Sequence, residues 1–142
     1  MAMRRSGPRR TAVWLAGAAG VLLLAAGCAG LNPGSDEAAA TARQFHRLLD
    51  AGDGAAACGL LAPGTMEEIE NGSPGTCARK LSGLGLAKAS KVLASKAFGR
   101  EAQVKLDGDT LFLTRSGDRW LVTAAGCTSR GERPYRCQVR GD

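Results

Sequence analysis

The chain has 142 residues, 44% of them hydrophobic and only 4% aromatic, with a formal net charge of +6. That length holds one domain beyond its N-terminal segment and excludes a multidomain architecture. Four of the basic residues, Arg4, Arg5, Arg9 and Arg10, precede Thr11, and from Cys28 onward fifteen basic residues stand against thirteen acidic ones. The net charge therefore overstates any attraction for polyanions. Nucleic-acid binding would also need cations interleaved with stacking aromatics, and the partner reading excludes it.

The first element is an export signal. Its basic start is followed by an uncharged run, Thr11 to Ala26, rich in Ala, Leu, Val and Gly. A basic n-region, an apolar h-region and small residues at the exit make a secretory signal, and the positive charge holds its start on the cytoplasmic side. The exit, Leu24-Ala25-Ala26-Gly27-Cys28, resembles the bacterial lipobox. That resemblance implies cleavage before Cys28 and a diacylglycerol on its thiol. Burial contributes about 0.8 kcal/mol per methylene, and two acyl chains hold a protein stably where one does not. The organisation expected is a signal over 1–27, a lipidated tether over 28–34 and a domain over 35–142. An uncleaved anchor is the competing reading, because the uncharged span from Thr11 to Ser35 is long enough to cross a bilayer. The Gly content and the breaker Asn32-Pro33-Gly34 favour signal and tether. Arg9-Arg10 is followed by Thr11-Ala12-Val13-Trp14, a poor match to a twin-arginine signal.

Five cysteines is an odd number, and a lipidated Cys28 accounts for the spare. Cys58, Cys77, Cys127 and Cys137 in an exported domain form two disulfides with three possible connectivities. Proximity in sequence favours Cys58–Cys77 and Cys127–Cys137. A zinc site would place two ligands two to four residues apart, and no such pair occurs, so neither metal nor cofactor is expected. A thiol catalyst would need a base, and the single histidine, His46, lies on a different element from all four.

Helical spacing begins at "SDEAAATARQFHRLLDAGDG". Ser35 or Asp36 is the expected cap, Asp36 and Glu37 suit the positive end, and Ala38, Ala42, Phe45 and Leu49 form the inward stripe with Leu48 widening it. Gly52 and Gly54 close this helix. A second starts near Asp53 and stops before Pro63. Thr65 and Glu68 read as a capping box opening a single turn through Ile69, ended by Asn71-Gly72. "SPGTCARKLSGLGL" reads as a further short helix with Cys77 on it and Leu81 and Leu84 inward.

After Leu86 the pattern alternates. Strands are expected over Lys91–Phe98, Ala102–Leu106, Thr110–Thr114, Trp120–Ala125 and Tyr135–Val139. Asp107-Gly108 and "RSGDR" mark tight hairpin turns. Ala102, Val104 and Leu106 face one way, Gln103 and Lys105 the other. Consecutive hairpins imply an antiparallel meander, and helices preceding strands imply an α+β domain with the helices on one face of the sheet. The aromatics after Cys28, namely Phe45, Phe98, Phe112, Trp120 and Tyr135, are the large residues available to a modest core.

The segments "FHRLLDAGDGAAACGLLAPGTMEEIE", "CARKL" and "GREAQVKLDGDTLFLTRSGDRWLVTAAGCTSRGERPYRCQV" resemble small actinobacterial lipoproteins with a nuclear transport factor 2-like domain. The resemblance implies a cone, in which helices are wrapped by a strongly curved antiparallel sheet with a hollow at its wide end, and it implies the same cysteine pairing. Enzymes of that superfamily turn titratable residues into the hollow. The candidates here are His46, Asp50, Asp53 and Tyr135. Asp50 and Asp53 read as a helix end and a helix cap, His46 as a structural or surface residue beside the apolar stripe, and Tyr135 as packing at a strand start. They form no catalytic constellation.

From Cys28 to Gly72 two basic residues face seven acids, and from Ser73 onward thirteen face six. An acidic helical part thus adjoins a basic sheet. Its cations Lys91, Lys96, Lys105, Arg115, Arg119, Arg136 and Arg140 form a solvated face or contact anionic head groups or an acidic envelope partner. The functional expectation is a lipid-anchored, non-catalytic domain on the extracytoplasmic face of the cell membrane that binds an envelope protein or a small apolar ligand. An isomerase or hydrolase acting on an apolar molecule in the hollow is the alternative. A homodimer formed through the open sheet face is a third possibility.

Overall fold

In the computed structural model, which describes residues 32–141, the first apolar stripe builds α1 (Ser35–Asp50). It buries Ala38, Ala42, Phe45 and His46 on one face. Gly34, with φ +90°, is the residue that caps it, and no capping side chain accepts from the first-turn amides. Ser35 and Asp36 are thus inside the helix, where Asp36 and Glu37 meet its positive end as expected. Asp53 caps α2 (Gly54–Cys58) by accepting from the Ala56 amide at 3.0 Å. Gly54, expected to close the first helix, instead opens the second.

The capping box at Thr65 does not form. Pro63 starts α3 (Pro63–Glu70), so Thr65 lies in its first turn, buried, and donates its hydroxyl to the Thr123 carbonyl at 3.1 Å. Proline at the first helical position costs no hydrogen bond, because that amide has no intrahelical acceptor. The helix has eight residues where a single turn is expected, chiefly because it starts earlier, and it ends at Glu70, with Asn71 in the left-handed conformation. The last helix, α4 (Cys77–Gly83), buries Cys77 and Leu81.

Five strands follow: β1 (Val92–Phe98), β2 (Glu101–Leu106), β3 (Thr110–Ser116), β4 (Arg119–Arg130) and β5 (Arg133–Arg140). They pair in chain order as one open antiparallel sheet, with register shifts in the β1–β2, β3–β4 and β4–β5 ladders. The α+β meander expected from the sequence is therefore the architecture. α1 lies against β1, β2 and β4. Between them sit Ala102, Val104, Leu106, Leu111, Leu113 and Val122.

β4 runs past Ala125 to Arg130, because its two halves have different partners. Its second half pairs with β5, while near its start Val122 exchanges backbone bonds with Leu60 and Ala62 ahead of α3. The chain joining α4 to β1 crosses the β2–β3 turn, where Asp107 accepts from the Ser90 and Lys91 amides at 2.9 and 3.2 Å. A side chain at Gly108 would collide with the Lys88 carbonyl.

Among the described aromatic residues, only Phe45 and Trp120 are buried. Phe98 is 66% exposed and Tyr135 is 38% exposed, so neither belongs to the core. Among the described residues no helix is long and apolar enough to cross a membrane.

Candidate functional site

A buried histidine–carboxylate pair joins α1 to the sheet. His46 Nε2 lies 2.8 Å from Asp109 Oδ2, and both side chains are 2% exposed. Asp109 Oδ2 also accepts from the Gly126 amide at 2.9 Å, and Oδ1 accepts from the Cys127 amide at 3.0 Å. Both carboxylate oxygens are acceptors, so the imidazole is the donor in this pair. Gly126 has φ +64°, and a Cβ there would sit 2.7 Å from Leu86 Cδ2 and 2.8 Å from Gln138 Oε1. Only glycine lets β4 turn its two amides onto the carboxylate at this point. The Phe45 ring meets the imidazole edge-on, with centroids 5.7 Å apart.

Sequence reasoning found His46 but not Asp109. The signal was present in the alternation of β3. Asp109 shares parity with the inward Leu111 and Leu113, and a carboxylate at an inward position demands donors. In sequence it falls between the Asp107-Gly108 turn and the strand expected from Thr110, where a carboxylate is ordinary turn chemistry.

His46 lines a pocket of about 130 Å³ together with Leu49, Asp50, Ser82 and Leu86. With Nε2 held by Asp109, the other ring nitrogen is the one left for chemistry. Asp50 is exposed at the end of α1, and Asp53 is occupied in capping α2. Tyr135 stands edge-on to Phe112 on the sheet, with centroids 5.1 Å apart. The four candidates therefore do not converge.

A larger cleft, about 430 Å³, opens between α3, α4 and β5. Ile69 and Leu84 give it apolar wall, while Glu68, Lys80, Gln138 and Arg140 supply polar groups. Lys80 Nζ donates to the Glu70 carbonyl at the end of α3, and Gln138 Nε2 donates to the Leu84 carbonyl at 3.3 Å. These bonds fix two of the polar groups relative to the helices. Among the described residues no cluster of three or more His, Cys, Asp or Glu could hold a metal ion.

The two disulfides join Cys58 to Cys77 and Cys127 to Cys137. The first ties α2 to α4, and the second joins directly opposed residues of β4 and β5. Cys28, with the signal and the start of the tether, lies outside the described residues. The cations Lys91, Lys96, Lys105, Arg115, Arg119, Arg136 and Arg140 are all exposed. No family model, curated protein or solved structure matches the chain.

Proposed function

We propose that this protein is a lipid-anchored domain on the extracytoplasmic face of the cell membrane that binds a small amphipathic molecule carrying an anionic group, without transforming it. The observation that carries the reading is the cleft between α3, α4 and β5. Its volume of about 430 Å³ falls in the range of roughly 300–1,000 Å³ usual for ligand pockets. Ile69 and Leu84 offer apolar contact, and Lys80 and Arg140 outnumber the single carboxylate of Glu68. The compartment is supported by cysteine use, since two disulfides fit an oxidising environment and leave Cys28, in its lipobox setting, as the unpaired thiol. The helices held on one face of an open antiparallel sheet support the nuclear transport factor 2-like reading of the fold. Titration of the full chain with decanoate and decanol, followed by NMR, tests the ligand class. Decanoate should shift the Ile69 and Leu84 resonances at lower concentration than decanol does, and equal or absent shifts would remove it.

A second reading, a small isomerase or hydrolase, is favoured by one observation: His46, oriented by Asp109, shares a pocket wall with Asp50. That pocket, at about 130 Å³, is smaller than most sites that enclose a substrate. Turnover of ester or enolisable substrates that disappears in His46→Gln while decanoate still binds would favour this reading over the first.

A further inference from the structure

The point where the tether joins the domain is fixed on the sheet. Asn32 Oδ1 accepts from the Ala97 amide of β1 at 2.7 Å, the Ser95 hydroxyl donates to the Ser35 carbonyl at 2.6 Å, and Gly34 packs on the Trp120 ring. Ala97 lies at the end of β1 and Trp120 at the start of β4, so the chain enters at the end of the sheet that carries the β1–β2 and β3–β4 turns. Phe98, the most exposed large apolar side chain among the described residues at 66%, stands at this end, next to the anchored Ala97.

The same end carries a cluster of arginines. Arg100 Nη2 donates to the Arg115 carbonyl at 2.8 Å, and Arg115 donates to the Gly117 carbonyl with its guanidinium 6.0 Å above the Trp120 ring. Arg119 stands opposite Ser116 in the same turn region. The acids nearby are Glu101, which stands directly opposite Phe98 and accepts from the Thr114 hydroxyl, Asp118, and Asp36 and Glu37 in the first turn of α1 beside the entry point. The guanidiniums of Arg100, Arg115 and Arg119 and the exposed Phe98 ring share this end of the sheet with those carboxylates.

We propose that this end of the sheet is a membrane-contact surface, with Phe98 seated among the head groups and Arg100, Arg115 and Arg119 on lipid phosphates. The inference rests on the lipidation of Cys28. Only Ala29, Gly30 and Leu31 separate that residue from Asn32, and four residue steps reach at most about 14 Å. A lipid held on so short a lead brings the tether's entry point, and Phe98 with it, against the bilayer. An exposed aromatic with guanidiniums at the same end of the sheet is side-chain chemistry that an anionic interface takes.

The test uses the full chain isolated from the membranes of a lipoprotein-processing bacterium, with the photo-crosslinker p-benzoylphenylalanine replacing Phe98 or, as a control, Glu132. Glu132 lies in the β4–β5 turn at the far end of β4. On vesicles of phosphatidylcholine and phosphatidylglycerol, irradiation should give lipid adducts at position 98 and none at position 132. Arg100→Gln with Arg119→Gln should lower the yield roughly tenfold or more, given about fivefold per cation at an anionic surface. Mass spectrometry of the same sample reads the state of Cys28. A lipidated chain without adducts at 98, or with equal adducts at 98 and 132, overturns the contact surface and leaves the anchor standing. Adducts at 98 in whole cells that carry protein instead of lipid assign the surface to a partner and also overturn it. An unacylated Cys28 overturns both readings together.

Discussion

His46 and Asp109 are 63 positions apart in sequence and 2.8 Å apart in space. Through Asp109 the helix is bonded to two consecutive amides of β4, so one carboxylate couples α1, the β2–β3 turn and the central part of β4. Removing one partner of a buried pair strands the other, at a cost of about 3–5 kcal/mol. Asp109→Ala should therefore lower stability by about that amount, and His46→Ala by the same order. The double variant should lose less than the sum, because the two share one interaction. Urea unfolding of the four chains of this cycle measures it, and additive losses would mean that the pair is not coupled.

The two disulfides should not contribute equally. Cys58–Cys77 spans 19 positions and Cys127–Cys137 spans 10. Loop-closure entropy gives roughly 3 kcal/mol for each, with the longer loop ahead by about 0.5 kcal/mol. Cys58→Ser with Cys77→Ser should thus lower the melting temperature somewhat more than Cys127→Ser with Cys137→Ser, as read by calorimetry. The latter pair joins strands already held by a backbone ladder, which widens the difference in the same direction.

Most of the architecture was legible because it follows from periodicity. The switch from helical spacing before Leu86 to alternation after it separates helices from strands, and the buried Ala102, Val104 and Leu106 follow directly from parity. Three features were hidden for physical reasons. Thr65 carries an N-cap side chain in a capping-box sequence, but Pro63 two residues earlier nucleates the helix first and sends the hydroxyl into the sheet. Phe98 was counted toward the core by its size, yet it occupies an outward position at the end of an edge strand. Hydrophobicity alone does not tell which face such a residue takes. The His46–Asp109 contact needed the fold itself, since nothing local to either residue names the other.

Asp107 sets a pH dependence with a definite sign. Hydrogen bonds from the Ser90 amide and then the Lys91 amide hold its carboxyl below the ordinary value of 3.8, against a smaller opposing desolvation. A carboxylate depressed in the folded state stabilises above its unfolded pKa and loses that contribution as pH falls through the folded one. Asp107→Asn should be less stable than the parent near neutrality, and the gap should close as pH drops below 3.8. Urea midpoints from neutral to strongly acid pH measure this. A gap that widens in acid would contradict the assignment.

Gly126→Ala tests whether the turn of β4 onto Asp109 depends on glycine. The added methyl would have to tolerate φ +64° and contacts of 2.7 Å to Leu86 and 2.8 Å to Gln138. Left-handed backbone at a non-glycine residue costs about 1–2 kcal/mol, and overpacking adds about 1–3 kcal/mol. The total, about 2–5 kcal/mol, should appear in the urea midpoint. Because Leu86 and Gln138 border the two pockets, the substitution should also shift their NMR resonances. In the Asp109→Ala background the loss should shrink, since β4 is then free to relax away from the carboxylate site. An undiminished loss would show that the glycine serves only its own backbone conformation, independent of the buried carboxylate.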